Sequence, residues 1–568
     1  MANENDTIND WTIMFFFASD MELSPLTVSQ IKAVKDAGYQ KSTEVLLYFD
    51  SNEQGVPTRL FNMNKGGWGG RYESTQIGDG ADPYIRSFLD DEIMPDAMDG
   101  DKGKCTNSLK TKLTEPDTMN ATKALENFIG YCQENSPAKH YLLFLVGHGM
   151  VVANDTFLYD EHPRSSIALN DFGDLIRNFT KTISGEGSLE LICLHSCSMS
   201  SIEVAYELRD TAKYMIASEG YSYVGSWPYR QLLKKIFNTT HEAKDKPLDE
   251  SAVQTLIQKI YELTLYNAPD FAYSGYSHDL TLCSLDGPKI ERLVEHLRKL
   301  TGYLKQSLKT DRGQQLILLA HLKSQAFWRD EYTDIYDFCR CLKELCDQSL
   351  KELNDFYGCL KELCDLKELN DCHLGVDASL KEVSDSCQAV MDEWEQQPEQ
   401  PFDRLVVLSD NFGWQYQFAH GLSIYFPWIR PLSYDETGPF ENYQNYAFNQ
   451  ARENSWDTFL EAYWKKTMRA PEKEDEQTDT NQTIQVRPSH LGLPISPVGA
   501  YNKPGGGYNK PGGSMADSPC ICPSFKNFPM NTKLGRRTRG LPPMTARVEK
   551  AVYKNPEPPE PRNSRPEE

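Results

Sequence analysis

The chain reads as an α/β protein built on a mostly parallel central sheet with helices on both faces, and three features say so. Short, almost unbroken apolar runs recur through the N-terminal half; longer segments with apolar residues at helical spacing lie between them; polar, Gly or Pro residues separate the two. A strand buried on both faces has no wet side, so its sequence does not alternate, and parallel neighbours need crossovers of the kind helices supply.

In chain order, strands are predicted at Trp11–Phe17, Glu44–Phe49, Tyr141–Val146, Leu189–Leu194 and Tyr214–Ala217. Helices are predicted at Leu26–Ala37, Ala121–Cys132, Leu169–Asn178, Met199–Asp210, Leu248–Leu265 and Lys289–Leu300, where apolar residues return every three or four positions. From Asp311 to Cys387 the sequence turns helical and repetitive. The hexad LKELCD or LKELND starts at Leu342, Leu350, Leu360 and Leu366, with a degraded LKEVSD at Leu380. The spacing is irregular, so this is local duplication within a helical insertion and not a solenoid. Leu405–Val407 and Leu422–Phe426 are strand-like and Trp456–Trp464 is helical, which returns the chain to the main fold. The expected organisation is a core over 1–310, a helical subdomain over 311–400, completion of the core over 401–470 and a tail over 471–568.

The tail is expected to be disordered. It holds 16 of the 32 prolines and a tandem YNKPGG, at Tyr501–Gly506 and Tyr508–Gly513. The charge divides there as well. Of the formal −23 on 568 residues, the first 470 carry 45 Lys+Arg against 71 Asp+Glu, and the tail carries 14 against 11. An acidic body repels phosphate, so nucleic acid is not an expected ligand. No stretch reaches the ~18 apolar residues of a membrane helix, and the N-terminus lacks the basic and apolar regions of a leader; membrane association is not expected, and the cytoplasm is the expected compartment. Fourteen cysteines are then read as reduced thiols.

Two strand ends carry the chemistry. YLLFLVGHG ends an apolar strand at Gly147 and delivers His148 between two glycines; LELICLHSCSMSS ends a second near Leu194 and presents Cys197 before a helix. Ligands of open α/β sheets bind outside the carboxyl ends of the strands, so both residues should reach one edge. A cysteine beside a helix N-terminus is favoured as thiolate, the nucleophilic form. A nearby histidine can act as base or as proton donor to a leaving amine. Backbone N–H groups of Gly149 and Cys197 can hold a developing oxyanion, the glycine permitting close approach. A lone buried cysteine is more often inert core, which is the reading for Cys193. Cys339, Cys341, Cys346, Cys359, Cys364, Cys372 and His373 crowd together, but they ride on duplicated hexads without paired zinc-ligand spacing, so no metal site is assigned.

These segments, in this order, resemble the clostripain-like cysteine peptidases, relatives of caspases and gingipains. The matching stretches are WTIMFFFASDMEL, GHG at 147–149, SCSMSSIEVAYEL followed by YMIASEG and GSWPY, YSHDLTLCSLDGPKIERL, YTDIYDFC and AHGLSIYFPW. The resemblance implies a caspase-like fold, a protein or peptide substrate, His148 as catalytic histidine and Cys197 as nucleophile. It places His195, Ser218, Glu219, Trp227 and Gln231 around the substrate, with Asp20 and Glu22 as further acids nearby. Members are often matured by internal cleavage, and at most limited self-nicking is expected here. No cofactor is required, while calcium stays open because some members depend on it. Two departures bear on specificity. His195 stands where the family places Asp, and Arg230 and Gln231 occupy the place of a second acid, so the family's preference for cleavage after Arg or Lys is not expected to carry over unchanged. The rival reading is a catalytically silent adaptor that binds a regulatory partner through the helical repeats or tail.

Overall fold

The computed structural model describes residues 8–20, 24–38, 40, 42–51, 59–62, 120–149, 157–161, 164–183, 185, 187–242, 248–267, 277–363, 369–395, 401–431, 439–450 and 453–467. The tail beyond 470 lies outside them, as do the side chains of the LKEL copies at Leu360 and Leu366.

The apolar runs become strands β1 (Asn9–Ser19), β2 (Thr43–Ser51), β3 (Arg59–Asn62), β4 (Ala138–Val146), β7 (Ser188–His195) and β8 (Tyr214–Ala217), with β5 (Phe157–Glu161) and β6 (Arg164–Ile167) forming a separate hairpin between β4 and β7. Two further strands, β9 (His278–Ser284) and β12 (Val406–Phe412), complete an eight-stranded sheet in the order β12-β9-β8-β7-β4-β1-β2-β3. Strands β2, β1, β4, β7 and β8 run parallel; β3, β9 and β12 run antiparallel to their neighbours.

Continuous apolarity has its cause in the two faces. Ile13, Phe15 and Phe17 of β1, Leu142 and Phe144 of β4, and Leu191 and Cys193 of β7 pack under helices Ser24–Lys35, Tyr229–Glu242 and Glu250–Asn267. The residues between them, Met14 and Phe16, Leu143 and Leu145, Ile192 and Leu194, pack under helices Ala121–Asn135, Leu169–Ile183 and Gly287–Ser307. Period-two alternation is present, but both halves are apolar. At about 1.5–3 kcal/mol per buried large apolar side chain, these layers supply the main drive for folding.

Helix Gly287–Ser307 is also the seat of the helical part. Helices Asp311–Lys323 and Leu369–Glu395 pack on it, and Ile335–Leu363 packs on both of them. The LKEL copies at Leu342 and Leu380 bury their leading leucines, and Cys339, Cys346 and Cys387 lie in the same core as free thiols. A short sheet of β10 (Ala326–Phe327), β11 (Tyr332–Asp334) and β13 (Ser423–Tyr425) joins this region to the segment after β7, because Ser423 N–H donates to the Ser200 carbonyl at 3.0 Å. All described residues fall in one compact unit, and none of their helices is long and apolar enough to cross a membrane.

One predicted element is much shorter than expected. The helix over Met199–Asp210 is confined to Ile202–Glu207, capped by Ser201, because Ser198 adopts φ +57° and turns the chain before a helix can start. Glu203 in this helix is buried, and its Oε1 accepts hydrogen bonds from Tyr425 N–H and the Tyr443 hydroxyl, both at 2.9 Å. Burial pushes its carboxyl above the usual range. Glu203→Ala leaves two buried donors unpaired and is expected to cost about 2 kcal/mol or more in chemical denaturation. Glu203→Gln keeps an acceptor, removes a buried charge and is expected to be near neutral.

Candidate active site

Strands β4 and β7 lie side by side in parallel, with Val146 opposite His195. Two residues further along each chain stand His148 and Cys197. Neighbouring strands are about 4.8 Å apart, so register alone brings these residues to adjacent strand ends on one edge. Both are about 1 % exposed. Gly149 presses on the Cys197 backbone so closely that an added methyl group would run into the Cys197 carbonyl and amide. Gly147 is similarly confined, with Leu158 at 2.9 Å and the Ala18 carbonyl at 3.2 Å from where a Cβ would stand.

The sulfur has a neighbour that the sequence did not announce. Ser222 N–H donates to Cys197 Sγ at 3.2 Å, and the Ser222 carbonyl lies 3.5 Å away. An N–H directed at sulfur stabilises a thiolate. The helix dipole contributes less than expected, since helix Ile202–Glu207 begins five residues beyond Cys197 and such effects fade within a turn. Among the described residues Cys132, Cys193, Cys283, Cys339, Cys341, Cys346 and Cys387 are free thiols. As a nucleophile, Cys197 works as the reduced thiol. Burial pushes the Cys193 thiol far up and the Cys283 thiol to about 12, as befits inert core cysteines.

Both ring nitrogens of His195 are committed to partners of their own. Its side chain is fully buried, stacked on Trp227 with ring centroids 5.3 Å apart. Nε2 lies 2.8 Å from the Tyr223 carbonyl and Nδ1 lies 2.6 Å from the Tyr229 hydroxyl. A carbonyl only accepts, so the network assigns the proton to Nε2, with the Tyr229 hydroxyl donating to Nδ1. Burial lowers its pKa to about 3, and the ring is neutral.

The other anticipated pocket residues are distributed differently. Ser218 is buried and donates its hydroxyl to the Asp279 carbonyl at 2.8 Å. Glu219 is fully buried; its Oε2 accepts Gly421 N–H at 2.8 Å, and burial with the charges of Asp334 and Asp279 drives its carboxyl well above the normal range. Trp227 is buried behind His195. Arg230 and Gln231 are exposed on the first turn of helix Tyr229–Glu242. Glu22 lies outside the described residues, and Asp20 is buried with its carbonyl accepting Glu161 N–H. Aromatic rings gather beside the Ser218–Ser222 loop: Tyr221 meets Trp328 at 6.0 Å and Tyr223 at 6.5 Å, and the Tyr416 hydroxyl accepts Tyr221 N–H at 3.2 Å.

As to metals, Asp20, Asp50 and Asp160 place carboxylate oxygens within 4.8 Å of one another, the one such group among the described residues. Calcium takes about six to eight oxygen ligands, of which these three carboxylates could supply a part, with carbonyls and water completing the shell. Cys339, Cys341 and Cys346 are buried free thiols in the helical core, while the side chains of Cys359, Cys364, Cys372 and His373 lie outside the described residues.

The family model of the clostripain family matches residues 18–464. No curated protein matches the chain. Among solved structures, the chain is similar to an inactive zymogen C11 protease from Parabacteroides distasonis, at 17% identity and TM-score 0.41, covering 78% of this chain and 98% of that one. It is also similar to a secreted C11 cysteine protease from Bacteroides thetaiotaomicron in complex with an irreversible peptide inhibitor, at 11% identity and TM-score 0.43, covering 80% and 99%. Those scores are low, and it is the family match, over most of the chain, that decides: the chain belongs to the clostripain family of cysteine peptidases.

Proposed function

We propose that this cysteine peptidase cleaves peptide bonds through a Cys197–His148 dyad and an acyl-enzyme. The observation that carries the reading is the β4–β7 register, which sets Val146 against His195 and so delivers His148 and Cys197 to neighbouring strand ends. The Cys197 thiolate adds to the substrate carbonyl carbon, and the oxyanion takes N–H groups of Cys197 and Gly149. As the C–N bond breaks, His148 gives its proton to the departing amine and a thioester remains on Cys197. Water then attacks the thioester, His148 takes its proton, and the acid product leaves the thiolate behind. The tight fit of Gly149 on the Cys197 backbone supports its part in the oxyanion hole.

The substrate residue at P1 is proposed to be neutral. His195 is uncharged and both its nitrogens are engaged, while the carboxylate of Asp279 is taken up by backbone amides and that of Glu219 by the Gly421 amide and Asp334. The half-buried Tyr221 ring offers apolar surface instead, backed by the buried rings of Tyr223, Trp328 and Tyr416. A cationic side chain set among them would give up water without gaining an ion pair.

A peptide-library profile of reduced wild type beside Cys197→Ala tests both points. Cleavage is expected with wild type alone; retained activity in Cys197→Ala rules out the nucleophile. The kcat/KM for neutral P1 residues is expected to exceed that for Arg or Lys by about tenfold or more, the scale of discrimination that unpaired polar groups impose. Because the nucleophile acts as a thiolate, oxidation in the absence of reductant is expected to abolish turnover, and addition of a thiol to restore it within the same assay. Activity that is indifferent to reductant would contradict this account of the sulfur.

A further inference from the structure

The loop Ser218–Ser222 does more than flank the sulfur, and one residue outside the strand-end motifs holds it. Asp279, the second residue of β9, is buried beneath the loop. Its Oδ2 accepts Glu219 N–H at 2.6 Å and its Oδ1 accepts Gly220 N–H at 2.9 Å, while its own carbonyl accepts the Ser218 hydroxyl at 2.8 Å. The loop then holds the nucleophile turn. The Gly220 carbonyl accepts Ser198 N–H at 2.9 Å, the Ser218 carbonyl accepts Ser200 N–H at 3.0 Å, and Ser222 N–H reaches Cys197 Sγ. Ser198 is a non-glycine residue at φ +57°, a conformation that persists only where surrounding bonds fix it.

We propose that Asp279 is a positioning residue: its carboxylate, by taking the amides of Glu219 and Gly220, fixes the loop that holds Ser198 and directs Ser222 N–H at the Cys197 sulfur. The inference rests on Cys197 as nucleophile. Both amides need an unprotonated oxygen, so the clamp is complete only when Asp279 is ionised.

The clamp sits among other titrating groups. Glu219 faces it from the loop; Asp334 faces it from β11; Tyr416 approaches from the turn after β12 and Tyr261 from helix Glu250–Asn267. Asp334 in turn accepts His420 N–H and Asp337 N–H, both at 2.6 Å, and lies 3.3 Å from His420 Nδ1. Asp337 is bonded to Arg340. Neighbouring His278 is a buried ring whose pKa is lowered to about 4, so it brings no positive charge at neutral pH. Burial, with a contribution from Asp334, raises Asp279 to about 7. Activity should therefore fall as pH drops through about 7, because protonation releases one amide.

Stability should move the opposite way. An acid whose folded pKa is raised from 3.8 to about 7 binds its proton more tightly in the folded state, so its contribution to stability declines as pH rises through that window. A residue with only a structural role would move activity and stability together.

The test compares reduced wild type, Asp279→Asn and Asp334→Asn between pH 5 and 9. Two readouts are followed: peptide hydrolysis, and iodoacetamide alkylation of Cys197 located by mass spectrometry. In Asp279→Asn an amide N–H₂ faces one of the loop's N–H groups. The expectation is a loss in kcat and in alkylation rate of about tenfold to a hundredfold, the scale on which small misplacements are felt, with KM little changed and the acid limb near pH 7 gone. Asp334→Asn removes a charge that raises Asp279, so it should shift that limb to lower pH. Should Asp279→Asn not fold, the Asp334→Asn shift decides alone. An Asp279→Asn enzyme within twofold of wild type, a limb unchanged in either folded variant, or a wild type with no such limb overturns the proposal. Alkylation needs no turnover, so a clamp effect on alkylation without hydrolysis would separate failure of the peptidase reading from failure of this one.

Discussion

Parallel pairing of β4 with β7 is the constraint on which the rest of the structure depends. With Val146 opposite His195, the residues two places further on are carried to adjacent positions at the sheet edge. A slip of one residue would send each side chain to the opposite face and exchange the two cores beneath. That cannot happen cheaply, because Leu142 and Phe144 are committed to one apolar layer and Leu143 and Leu145 to the other. The packing that stabilises the fold is thus the same packing that aligns the dyad.

Around this edge, charge is spent on backbone and not displayed. The chain is acidic overall, yet the acids nearest the nucleophile are buried and consumed: Asp279 by two amides, Glu219 by Gly421 N–H, Asp334 by the amides of Asp337 and His420. Burial, together with the charge of Asp334 close by, raises the proton affinity of Asp279 and Glu219. A net charge of −23 therefore carries no information about the pocket. What faces the sulfur is an amide, and what stands two residues before it is a neutral histidine locked between two tyrosines.

Much of the frame was legible because burial on both faces leaves an unmistakable trace. Trp11–Phe17, Glu44–Phe49, Tyr141–Val146, Leu189–Leu194 and Tyr214–Ala217 all fall inside observed strands. The strand ends presenting His148 and Cys197 followed from the same pattern. Strand β9 was missed, since HDLTLCS opens with two polar residues whose burial depends on the loop above them. The helix after Cys197 was overextended because local propensity cannot see that Ser198 is held at φ +57° by carbonyl groups about twenty residues away. Ser222 and Asp279 gave no signal for the same reason. Their roles arise from hydrogen bonds across 25 and about 60 residues, and a serine or an aspartate is ordinary until the fold supplies its partner.

The central claim is that Cys197 is the atom on which the substrate is carried. Acid quenching of the reduced protein within its first turnovers, followed by mass spectrometry of the peptide containing Cys197, tests it most directly. The account predicts the mass of the acyl half of the substrate on Cys197, labile to hydroxylamine as a thioester is. Hydrolysis proceeding with no adduct there, or with a stable adduct on another residue, would contradict it.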